Sequence, residues 1–255
     1  MAIDIEAKLG FREAFLAAGF AGMFAAVVAA AVLPDLSADV DRTAGLRAIP
    51  GLVRRDTRVL SVGLVNTTVR FLFAGVLLST VVLYAGTNGV ELSGFSETGV
   101  SGVVMALSVV ASSAATVAAG RYSDTLDNRA SITMPALSVL GLGFVVLAVR
   151  PTLAGTLAGV TLVGVGVGGT NPPLLAYLGD VSPADDVGKL GGVYNVFGDF
   201  ESTLGPIVGV PIAYRIGFTA EYLLCAGLVV LAAVMVARTL LVAPATPNPE
   251  LADAD

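Results

Sequence analysis

Six polar side chains lie inside stretches that are otherwise apolar: Asn66 and Arg70 within 59–84, Asn171 within 152–178, and Asn195, Asp199 and Glu201 within 190–214. A charge among apolar neighbours is costly in a bilayer, so such residues mark an ion pair or a solute or proton path. Asn66 and Arg70 are four apart, as are Asn195 and Asp199, which puts each pair on one helix face. Asp199 and Glu201 are about 200° apart around a helix, so both cannot face one cavity. Asn195 and Ser202 share the stripe of Asp199, which makes Asp199 the better partner for Arg70. At about 1.5 Å per residue from the ends of their stretches, Arg70 lies roughly 16 Å in, Asp199 and Asn171 roughly 12 Å, and Glu201 roughly 15 Å. These depths overlap. The expectation is that Arg70 pairs with Asp199 or Glu201, either beside a substrate or proton path or as a structural tie between neighbouring helices.

Composition says what must position them. Of 255 residues 13% are charged, against about 25% in a soluble domain, and mean hydropathy is +0.85. The chain reads as an all-α integral membrane protein whose first partner is the lipid bilayer. It has no histidine and one cysteine, Cys225. That rules out an internal disulfide, a His/Cys metal cluster and a histidine-based triad. No nucleophile–base constellation is visible, so no enzyme is expected, and no cofactor or metal. A net charge of −6 with Lys8 and Lys189 as the only lysines resembles proteins of salt-loving microbes and gives no reason to expect nucleic acid.

Seven apolar stretches are long enough to span a bilayer. Residues 1–33 form a polar tail and the first span, 14–33, which is too long for a signal peptide and lacks an evident small-residue cleavage site. An arginine-rich linker follows at 34–58. Residues 59–243 hold six further spans, 59–84, 98–119, 131–149, 152–178, 190–214 and 222–243. A proline-rich acidic tail, 244–255, has the composition of a disordered segment. Arg42, Arg47, Arg54, Arg55, Arg58, Arg121, Arg129, Lys189 and Arg238 fall on one side of this arrangement, and Lys8, Arg12, Arg150 and Arg215 on the other. Basic residues favour the cytoplasmic side, so the amino terminus is expected outside the cell membrane and the carboxyl terminus in the cytoplasm.

Between two charge-free spans stands Gly120-Arg121-Tyr122-Ser123-Asp124-Thr125-Leu126-Asp127-Asn128-Arg129. It resembles the glycine–aspartate–basic loop of major facilitator superfamily transporters, found between the second and third helices of each six-helix half. Gly120, Asp124 and Arg129 fit. Thr125, Asp127 and Asn128 stand where the family favours a basic residue, glycine and arginine. Gly10-Phe11-Arg12-Glu13-Ala14-Phe15 and Gly217-Phe218-Thr219-Ala220-Glu221-Tyr222 open the first and last spans alike, as expected of two parallel halves. Gly205-Pro206-Ile207-Val208-Gly209 is similar to a Gly-Pro-x-x-Gly stretch of the family, and lets a helix bend and approach another closely.

The resemblance implies that the first span is the last helix of an amino-terminal half and that 59–243 is the whole second half. It further implies secondary transport of a small solute, with proton-coupled efflux a common theme. The family's pathway lies between two halves, so the resemblance also implies a truncated transporter, a companion amino-terminal half or a second copy. The alternative is a non-transporting membrane remnant or an interaction subunit.

Other motifs have plainer readings. Gly164-Val165-Gly166-Val167-Gly168-Gly169 matches a dinucleotide fingerprint but lies in an apolar span with no strand before it; Gly164 and Gly168 read as a helix-contact face. Gly188-Lys189 lacks the flanking residues of a phosphate loop. Asn66-Thr67-Thr68 matches a glycosylation triplet inside a span.

Overall fold

In lipid every backbone amide must be satisfied within its own segment, which makes a long apolar run a helix. The structure, a computed structural model, describes residues 57–89, 97–126, 128–181 and 187–241 and scattered helical residues between Leu16 and Ala31. Side chains at 97–101, 187–193 and 196–203 fall outside the description. Six helices follow one another: α1 (Thr57–Thr87), α2 (Glu97–Ser123), α3 (Thr133–Val149, after a 3-10 turn at Arg129–Ile132), α4 (Leu153–Val181), α5 (Val187–Ile216) and α6 (Phe218–Leu241). No strand occurs among the described residues.

Among the described residues five stretches are long and apolar enough to cross a membrane: Thr57–Thr87, Gly102–Ser123, Arg129–Val149, Leu153–Val181 and Phe218–Leu241. Leu204–Ile216, the continuously described part of α5, is a shorter apolar stretch. The first expected span belongs to a separate unit, Met1–Ala44; it lies largely outside the described residues, as do most of the 34–58 linker and the 244–255 tail. The helices outrun the expected spans by a few residues at most ends. In particular α2 continues through Gly120 to Ser123, so the loop motif begins inside a helix.

Hydroxyls within the bundle return to their own helix. Ser61, Thr67, Ser138, Thr161, Thr170 and Thr239 each donate to the carbonyl four residues back, at 2.6–3.0 Å. That satisfies them without a partner in lipid. Between helices, lipid supplies no hydrophobic force, so close packing by small residues does the holding. α4 shows this on two sides. A Cβ on Gly164 or Gly168 would strike the Ser108 or Ser112 carbonyl of α2, and one on Gly166 would strike Leu140 of α3. The expected contact face is therefore real, and the nucleotide-like spacing is mid-helix packing. Pro172 and Pro173 stay within α4. Pro172 has no N–H to give the Gly168 carbonyl, and Thr116 of α2 donates to it instead at 3.3 Å.

The helices alternate in direction. At one end the Tyr84 hydroxyl donates to Leu147 O at 2.7 Å, and the Tyr84 ring lies 5.8 Å from Phe218 and 5.2 Å from Tyr222. At the other end Asn128 donates to Leu240 O at 3.1 Å. Gly217 makes the corner between α5 and α6 with φ +85°, a conformation glycine adopts freely. That explains the glycine of the Gly-Phe repeat at this position; its counterpart Gly10 is outside the described residues.

Candidate functional site

α1, α4 and α5 bring a polar group into the apolar interior, centred on Tyr194. The Asn66 amide of α1, fully buried, donates to the Tyr194 carbonyl at 3.0 Å. The Tyr194 hydroxyl lies 3.4 Å from both the carbonyl and the side-chain oxygen of Asn171 on α4. The Arg70 guanidinium carbon stands 6.0 Å from the centre of the Tyr194 ring, within cation–π reach. Two buried polar atoms around this ring have no hydrogen-bond partner, Asn66 Oδ1 and Arg70 Nε, one an acceptor and the other a donor.

Of the residues expected at a path, Asn66, Arg70 and Asn171 thus meet, and Tyr194 is what joins them. Asn195, next to it, is exposed. The side chains of Asp199 and Glu201 are outside the described residues, so the expected Arg70 ion pair with either falls outside them too. Tyr194 escaped the sequence reading because attention went to charged and amide residues; a tyrosine one residue from Asn195 in an apolar span was the available signal.

Arg70 is also the last residue before a change of helix type. Phe71–Leu77 is a π turn, a widening often found at functional places in helices. Within it Gly75 meets Gly205 of α5 so closely that a Cβ on Gly205 would overlap the Gly75 Cα. A Cβ on Gly209 would stand 3.4 Å from Val76 and from a Glu221 oxygen. The Gly205-Pro206-x-x-Gly209 stretch is therefore a contact face against α1, and Pro206 and Pro211 lie within an unbroken α5.

At the end of the bundle where α2 and α4 finish, the loop motif closes on itself. Arg129 lies 3.8 Å from Asp124 and 3.6 Å from Asp180, at the end of α4. Asn128 caps the 3-10 turn by accepting from Ala130 N at 3.0 Å while its amide reaches Leu240 O. Asp127 is outside the described residues. Asp180 was missed in the sequence, although a charge on the same side as Arg129 was the clue. Among the described residues no group of three or more His, Cys, Asp or Glu comes together.

The sequence matches the Major Facilitator Superfamily over residues 5–201 and again over 102–255. The chain belongs to this superfamily. It is a multi-pass membrane protein of a transporter family. Among solved structures it is similar to a peptide transporter POT (E310Q mutant) crystallised in complex with alafosfalin, with a TM-score of 0.63 and 16% identity over 74% of this chain and 40% of that one. At this identity the likeness is one of fold, and the chain spans less than half of that transporter's length. No curated protein matches it.

Proposed function

We propose that this superfamily chain moves a small solute by secondary transport, as one wall of a proton-coupled efflux path. The observation that carries the proposal is the Tyr194 group: three helices converge on polar side chains, and two buried atoms, Asn66 Oδ1 and Arg70 Nε, are left with unused hydrogen-bonding capacity. A buried polar atom without a partner is destabilising, and it is tolerated where a passing solute or water supplies the missing bond. Asn66, Arg70 and Asn171 would touch the solute; Asn195, Asp199 and Glu201 would extend the path along α5, with Asp199 carrying the proton.

The wider arrangement rests on the repeat and on basic-residue placement. Seven spans cross the cell membrane with the amino terminus outside and the carboxyl-terminal tail, 244–255, in the cytoplasm. Residues 1–33 are the outer tail and the last helix of an amino-terminal half, 34–58 the cytoplasmic linker, and 59–243 the six-helix second half. The chain spans 40% of the peptide transporter's length, and the facing wall would come from an amino-terminal half, within one longer protein or on a partner chain, or from a second copy. The same coverage favours a second reading, a subunit that transports nothing until that half is present.

Reconstitution in vesicles with a proton-flux readout separates the two. Solute-dependent proton flux is expected, reduced about tenfold in Arg70→Gln, a loss the size of one transition-state contact. Equal flux in both proteins would overturn the site, and flux absent until an amino-terminal half is added would favour the subunit.

A further inference from the structure

A second place in the bundle carries a charge that the Tyr194 group does not use. Glu221, in the first turn of α6, is 3% exposed, and neither carboxylate oxygen has a hydrogen-bond partner. Among the described residues no basic side chain lies within ion-pair distance of it; the ion pairs found there involve Arg129 alone. The carboxyl lies against α5 at Gly209, where a Cβ would stand 3.4 Å from one of its oxygens. It lines a cavity of 480 Å³ between α1, α5 and α6, whose other walls are apolar: Phe71, Val76, Val208, Ile212, Leu224 and Leu228 among them. Toward α6 the rim consists of exposed leucines, Leu224 at 56% and Leu231 at 65%. In a multi-pass membrane protein such a face meets acyl chains, so the cavity opens sideways toward lipid.

We propose that this cavity is a lateral binding site for a lipophilic organic monocation, its charge at the Glu221 carboxylate and its body against the apolar walls. Three features select that ligand. Among the described residues lining the cavity Glu221 is the one acidic side chain, and an ion pair formed there is strong because little water screens it. The walls and rim are apolar, so the ligand must be soluble in lipid. No lysine or arginine is among the described residues lining the cavity, so a zwitterionic phospholipid would leave its phosphate unpaired, at high cost. This site does not depend on the Tyr194 reading, because its test is binding and needs no transport.

The probe is tetraphenylphosphonium, with tetraphenylborate as an anion of similar shape, in equilibrium dialysis of the purified full chain in maltoside micelles against empty micelles. Saturable binding of the cation and none of the anion is expected, with affinity lowered at least about tenfold in Glu221→Gln, as for loss of a buried charge contact. Leu228→Trp, which fills the cavity and keeps the carboxyl, should also block binding, so the proposal stays testable if Glu221→Gln fails to fold. No saturable binding, equal binding of anion and cation, or unchanged affinity in both variants would overturn it. So would a zwitterionic lipid, the chain's own residues 14–33 or a second copy held in the cavity and not displaced by the cation.

Discussion

At the loop end of the bundle, a Cβ on Gly120 would lie 3.9 Å from Pro172, an ordinary contact, while the charged residues around it pair: Arg129 with Asp124 and Asp180. At the α1/α5 crossing the situation reverses. Gly205 touches the backbone of Gly75, and the nearby charge, Glu221, has no partner. Two glycine-containing motifs that look alike in kind thus hold their regions by different means. The loop relies on exposed ion pairs and an asparagine cap; the crossing relies on the absence of side chains. The difference teaches that a glycine in a family-like motif is a contact only where another backbone occupies the place of its missing Cβ.

The same substitution at the two glycines should therefore have opposite signs. Gly205→Ala should be the larger effect, a loss of about 2–3 kcal/mol from overpacking, read as a lowered thermal midpoint in maltoside micelles. A wild-type midpoint would break the comparison at its root. Arg129→Gln should cost at most about 1 kcal/mol, because its pairs are exposed, and added salt should shrink the difference. A greater loss would show that the loop charges act as a buried network. Gly120→Ala should leave the midpoint unchanged or raise it by about 0.5 kcal/mol, since alanine is the better helix former. A fall would mean that Gly120 is needed for close contact after all.

Much of this was legible from composition and spacing. Apolar runs of about twenty residues located the helices of residues 59–243, because lipid leaves such runs one backbone solution. Depth counting brought Arg70 and Asn171 to one level, and four-residue spacing put Asn66 on the face of Arg70 and marked Gly164 and Gly168 as a packing face. What could not be read depends on rotation and on partners distant in sequence. Asn195 shares a stripe with Asp199, yet its side chain is exposed while Tyr194 beside it is buried. Glu221 sits next to the α5–α6 corner and passes for a turn residue; only the packing of α1 and α5 around it reveals its burial. Asp180 meets Arg129 across about fifty residues of chain, a separation no local pattern encodes.

The bare contact of Gly75 with Gly205 has a mechanical consequence. α1 and α5 also meet at Asn66 with Tyr194 and at Gly209 with Val76, so a tilt of α5 about this closest approach would act on the contacts to either side of it. Along α5, Tyr194 lies roughly 16 Å to one side of it and Gly209 roughly 6 Å to the other, at about 1.5 Å per residue. A tilt of α5 would move its Tyr194 arm more than twice as far as its Gly209 arm, and in the opposite direction.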